Sequence, residues 1–447
     1  MQIDPKLARA HYTRGLALLA LGRNAEAMDA YRQAVKLDPT DVDALIQVGF
    51  VSRKVDALDE GLAALDAALK LAPKNDEALF DRALIWEVKK EPARAIKDYD
   101  AVIALNPGSG SYTNRALLFA DAGDHKAALA DYIKAIALSP NDATLYNAKG
   151  LELGELGRHD EELVAYDAAL KLDPHLVSAK INKAITHADR EEWQLAIDTY
   201  RSALADDPKR ADIVAAIGEC LAALDQTDAA RQQYNQALRM DPKLASAWLA
   251  RAKLNRTAGK IRDALSDYDH GLAVAPDNID LLVGRASTLR QDNKGETAMA
   301  DLDKAVKLDP KWTYALNLRG LINADAERYD AALADYDQAI AIDPDFEAAY
   351  YNRADVFMSQ DREDRAIRDL NVSLRLSPGD NLTLARKGHA YSLLRDYRRA
   401  LEELDASIAA DPTYSDALYW RAEVKEALGD KTGAEADRKA AEKAEAS

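Results

Sequence analysis

The stretch Arg328 to Pro344, RYDAALADYDQAIAIDP, decides the fold, because near copies of it return along the chain at one fixed interval. Its closing proline measures that interval. Pro5, Pro39, Pro73, Pro107, Pro140, Pro174, Pro208, Pro242, Pro276, Pro310, Pro344, Pro378 and Pro412 stand 34 residues apart at every step but Pro107 to Pro140, which is 33. Between prolines the apolar residues follow helical spacing, as in Leu16 and Leu19 and then Ala27, Tyr31 and Ala34. Each interval therefore holds two helices, and no strand is predicted.

At 447 residues several domains would be the ordinary expectation, but a fixed period overrides it. The reading is one continuous array, residues 8–447, of thirteen units. They start at Ala8, Val42, Asp76, Ser109, Ala143, Val177, Ala211, Ala245, Ile279, Thr313, Glu347, Asn381 and Ser415, which puts the ladder proline at position 32. Residues 1–7, MQIDPKL, match the closing residues of a preceding unit, so an upstream segment is expected. The last unit ends in DRKAAEKAEAS, with Arg438 where other units carry Tyr or Leu, and reads as a polar cap.

Position 8 is Gly or Ala throughout, for example Gly15, Gly150 and Gly320, which lets two helices approach closely. Position 20 is small (Ala27, Ala95, Ala332), and position 24 is usually Tyr or Leu, able to fill the space beside it. Position 15 often carries Gly, as expected just past a helix end. Pro92, the one proline off the ladder, falls where a helix tolerates it, at its start.

Small residues at 8, 20 and 27, an aromatic at 24 and proline at 32 on a 34-residue period closely resemble the tetratricopeptide repeat (TPR) family. The resemblance covers Ala8 to the end. It implies an all-α, right-handed α-solenoid superhelix of tandem helical hairpins, whose first helices line the concave face.

The formal charge of −17 and pI near 5.0 argue against a nucleic-acid groove or an anionic membrane surface, both of which need clustered Lys and Arg. No apolar run is long enough to span a bilayer, and MQIDPKL lacks a basic-then-apolar leader, so a cytoplasmic protein is expected. The lone Cys220 excludes an intrachain disulfide framework. No phosphate-cradling or nucleophile motif occurs and the histidines are isolated; HDEE (His159 to Glu162) holds acids that a helix N-terminus favours anyway. No catalysis, cofactor or metal is expected.

Position 7 is mostly basic, and every acid at position 23 coincides with a base at 7: Arg82/Asp98, Arg115/Asp131, Arg251/Asp267, Arg285/Asp301, Arg319/Asp335, Arg353/Asp369, Lys387/Glu403 and Arg421/Asp437. Val48 and Ile217 at position 7 go with Ala64 and Gln233 at 23. Covariation among copies within one chain suggests contact, a partly buried ion pair within a unit or with its neighbour. Glu162 breaks the small-residue rule at position 20 while Ala165 stands at 23, so Glu162 is expected to serve as the displaced acid for Lys149.

Ligand specificity is expected on the first helices. In the N-terminal half their inner wall is apolar, with Tyr12, Leu16 and Leu19, then Ile46 and Phe50, then Phe80 and Leu84, then Leu117, Leu151 and Ile185, joined by Asn114 at position 6. Such a strip is a candidate partner groove; equally, these residues could pack between neighbouring helices. The carboxylate clamp of chaperone-adaptor TPR proteins is missing, since position 5 reads Tyr12, Ile46, Phe80, Thr113, Asn147. An inner asparagine ladder is represented only by Asn114, Asn182 and Asn352. The expected function is a protein-interaction scaffold that binds a peptide or protein partner in the concave face, with self-association possible. The alternative is the regulatory or substrate-recruiting arm of a larger enzyme. The GSGS at Gly108 to Ser111, where the period shortens, is either a hinge or a trimmed loop.

Overall fold

The computed structural model describes residues 5–446, with side chains from Leu7 onward. Among the described residues every regular element is a helix, twenty-six in all, from the 11 residues of Val42–Ser52 to the 16 of Pro5–Ala20. The chain divides into two compact units, Met1–Leu224 and Asp225–Ser447.

In the first unit Asn24–Leu37 folds back on Pro5–Ala20, Leu58–Leu71 on Val42–Ser52, and so on to Trp193–Asp206 on Val177–Asp189. Each second helix also packs on the first helix of the next hairpin, ending with Ala211–Ala223 on Trp193–Asp206. The second unit repeats the pattern, from Thr227–Met240 on Ala245–Thr257 to Lys431–Glu445 on Ser415–Ala427. Each unit is thus a stack of hairpins, the construction of an α-solenoid.

Local chemistry sets the helix ends. Several first helices start at an acidic or amide cap whose side chain accepts a backbone N–H, as Asp41 does from Ala44, Asn75 from Ala78 and Asn278 from Leu281. They stop at position 15, where the backbone turns left-handed. Around Glu327, for example, the amide of Arg328 donates back to the carbonyl of Asn323 at 2.8 Å.

Packing within a hairpin rests on position 24 entering the space that position 8 leaves. A β-carbon on Gly320 would lie 2.6 Å from the Tyr336 ring, and one on Gly150 2.4 Å from that of Tyr166. Tyr31, Tyr99, Tyr132, Tyr166, Tyr268 and Tyr336 are buried as a result. Each such side chain contributes roughly 1.5–3 kcal/mol through burial.

Two sequence expectations meet the coordinates differently. Residues 5–7 lie in the first turn of the helix Pro5–Ala20; residues 1–4 lie outside the described residues. At the short step Ser109, Gly110 and Ser111 already belong to the helix Ser109–Asp121, and only the loop between Leu105 and Ser109 is trimmed.

Candidate partner-binding surface

The ion pairs come first, because they fix how the first helices present themselves. Arg82 donates two bonds to Asp98 at 2.8 and 2.7 Å, and Arg115 two to Asp131, both at 2.7 Å. Arg319 meets Asp335 at 2.6 Å and Arg353 meets Asp369 at 2.7 Å. Arg251, Arg285 and Arg421 do the same with Asp267, Asp301 and Asp437, and Lys387 reaches Glu403 at 2.7 Å. The aspartates are buried and the arginines half-buried, which places these paired forks above the roughly 0–1 kcal/mol of an exposed pair.

Six of the seven arginine clamps also have an acidic member that the covariation of positions 7 and 23 does not reveal. The second Nη of the arginine grips the acid at position 25 of the preceding repeat: Arg82 holds Asp66 at 2.7 Å, Arg319 holds Asp303 at 2.9 Å, and Arg421 holds Asp405 at 2.7 Å. Lys183 likewise reaches Asp167 at 2.6 Å. The clamp therefore ties hairpin to hairpin as well as helix to helix. The signal was available, since Val48 and Ile217 at position 7 follow Arg32 and Arg201, not acids, at position 25.

Glu162 and Lys149 are not brought together. The buried Glu162 carboxylate accepts from Tyr166 Oη at 3.1 Å and Thr186 Oγ1 at 2.7 Å and lies 3.0 Å from His159 Nδ1. Position 20 faces the own first helix, where Gly154 leaves room for Glu162, and the following one, which supplies Thr186. Position 7 faces elsewhere. Lys149 makes no ion pair among the described residues, its neighbours at positions 23 and 25 being Ala165 and Ile133.

The expected apolar wall separates into two groups. Ile46 is a correction: at 2 % exposure it belongs to the core with Tyr31, Leu45 and Leu65. Position 5 slopes into that core, so a short branched side chain sinks while longer rings emerge. Tyr12 and Phe80, at the same position, are half-buried, Tyr12 against Tyr31 with ring centres 5.9 Å apart and Phe80 edge-on to Tyr99 at 5.6 Å. Burial, helped by Asp43, raises the Tyr12 phenol above its ordinary pKa. Leu19, Phe50 and Leu84 are also half-buried against the cores.

Leu16, Leu117, Leu151 and Ile185, all at position 9, stand in the open. Leu117 is 52 %, Leu151 45 % and Ile185 44 % exposed. Leu151 and Ile185 wall an open cleft of about 300 Å³ with Tyr166 and Glu162 in its lining and Glu155 and Asp189 beside them. Asn114 is engaged already, donating to Tyr99 Oη at 3.0 Å, and Asn182 and Asn352 donate to Asn147 and Asn317. None of the three amides stands idle.

Cys220 is buried, and burial pushes its thiol up to about 11. Among the described residues no His, Cys, Asp and Glu gather as a metal site, and no helix is long and apolar enough to cross a membrane.

Stacked hairpins with tyrosine set into glycine define a helical-repeat protein. More narrowly, tetratricopeptide repeat profiles match residues 8–41, 57–110, 116–157, 143–176, 187–254, 249–311, 320–361 and 386–447. The chain belongs to the tetratricopeptide repeat family. Among curated proteins it is similar to a tetratricopeptide repeat and J domain-containing co-chaperone, DNJ1, of Fusarium oxysporum f. sp. lycopersici, 33 % identical over 106 residues. That match takes in 22 % of this chain and spans only 20 % of the relative. Among solved structures it is similar to the APC/C hetero-tetramer Cut9–Hcn1 (14 % identity, 92 % of this chain and 95 % of that one, TM-score 0.49) and to yeast Tom70 (16 %, 98 % and 96 %, TM-score 0.42).

Proposed function

We propose that the chain is a scaffold that holds a protein partner along the exposed position-9 residues of its first helices. The observation that carries this is the recurrence of Leu117, Leu151 and Ile185, open to solvent, on successive first helices whose every other large apolar side chain is wholly or half-buried. The family supports it, since tetratricopeptide repeats are a family of interaction scaffolds, and the fungal relative is named a co-chaperone. The acids Glu155 and Asp189 beside Leu151 and Ile185 favour a partner segment in which a basic residue lies between apolar ones.

The test uses the full chain and a variant carrying Leu117→Asp, Leu151→Asp and Ile185→Asp. These sites are exposed, so the fold and melting temperature should hold. Phe50 and Phe80 are left unchanged, because both lean on the core. Wild type is expected to retain a partner from extract that the variant releases. Equal retention by a folded variant removes this face from consideration.

A further inference from the structure

In a repeat protein each position has its counterparts along the chain, so a departure carries information. Position 21 is apolar in nearly every copy, from Met28, Leu62 and Ile197 to Leu265 and Leu333; Arg231 and, in the final repeat, Glu435 are the exceptions. Arg231 is only 21 % exposed, and its Nε is shut off from solvent with no hydrogen-bond partner. Its nearest acid, Asp228, is almost fully exposed and 3.5 Å away. A buried guanidinium donor left unmatched is costly unless something supplies an acceptor.

One turn further on, at position 25, stands a second departure. Where the other clamp arginines grip an aspartate, Arg251 meets Asn235, whose Oδ1 lies 2.5 Å from the guanidinium. A guanidinium can only donate, so the amide must offer its oxygen there and turn its NH2 the other way. A carboxylate that would repel an anion is thereby replaced by an N–H donor.

Both residues line one open cleft of about 320 Å³, together with Lys260 and Ser266. Of the two acids there, Asp267 is already engaged by Arg251 at 2.6 Å and Asn255 at 2.9 Å, and Asp263 is exposed. Arg231, Arg251 and Lys260 outnumber them by one positive charge within a strongly acidic protein. We infer that this cleft, lined by Arg231, Asn235, Lys260 and Ser266, binds an oxyanion of the phosphate class, either free phosphate or a phosphate monoester on a partner's side chain. The Nη groups of Arg231 can donate to the oxygens of such a group, and Asn235 and Lys260 supply further donors. The site lies within the second unit and does not depend on the leucine row of the first.

The full-length protein is melted in inorganic phosphate against sodium chloride of equal ionic strength, as wild type, Arg231→Leu and Asn235→Asp. Each substitution installs a residue that other repeats carry at that position, so both variants should fold with an unchanged or higher melting temperature in chloride. Wild type is expected to gain stability saturably with phosphate, and each variant to lose about tenfold or more in apparent affinity. A parallel titration compares N-acetyl-O-phosphoserine amide with N-acetylserine amide. Binding of the phosphoserine compound tighter than phosphate assigns the site to a modified partner; weaker or equal binding assigns it to free phosphate. No phosphate-specific gain in wild type, or an undiminished gain in both variants, overturns the inference.

Discussion

Asp81, at position 6 of its repeat, is 5 % exposed, and Arg53 Nη2 lies 3.3 Å from its carboxylate. Burial pushes its carboxyl up to about 6 against the pull of Arg53, while in an unfolded chain it sits at about 3.9. The folded state therefore holds this proton more tightly. Its contribution is present below the unfolded value and is lost as pH rises from about 4 to about 6. Asparagine already occupies position 6 at Asn114, Asn182 and Asn352. Asp81→Asn is expected to stabilise the protein by up to roughly 2 kcal/mol at about pH 8 and to change little at about pH 4, in denaturant melts at both. An equal effect at both pH values would mean that charge is not the cause.

At this scale the sequence revealed the arginine–aspartate pairs, because positions 7 and 23 change together within one chain. The partners at position 25 were legible only by comparing position 7 with the preceding repeat, and the true partners of Glu162 were not legible at all. One residue at position 20, without a second copy to compare, offers no covariation from which contact can be read. Ile46 was misplaced because periodicity gives the direction of a side chain and not its depth.

Among elements, the turn between the two helices of a hairpin offers the sharpest comparison. Position 15 has a left-handed φ whether it is Gly123, Gly157 or Gly259, at 70° to 78°, or instead Lys90, Glu191, Glu327 or Arg395, at 56° to 60°. A β-carbon in that region costs on the order of 1 kcal/mol. Glu327 is exposed and its side chain makes no hydrogen bond or ion pair among the described residues. Glu327→Gly is therefore expected to stabilise the protein by about 1 kcal/mol in chemical denaturation. A loss of stability would show that the glutamate side chain has a role of its own. The glycine copies of this turn announced a helix end; the others did not, since there the surrounding hairpin imposes the conformation on a residue that does not prefer it.

For the whole molecule, order comes from repetition. Each hairpin packs on its sequence neighbours within its unit, so the proline ladder and the small-residue positions were enough to read the helices and their pairing. Which first-helix apolar residues stay in the open was less legible, because it depends on the depth of each neighbour: Leu117, Leu151 and Ile185 emerge, and Ile46 does not. The claim that this row meets a partner is tested most directly by photo-crosslinking. A benzophenone amino acid is placed singly at Leu117, Leu151 and Ile185, and at Val164 and Leu195 of the second helices, which are at least as exposed. The same partner adduct should form from the first three sites and not from the other two; adducts from Val164 and Leu195 in their place would contradict the account.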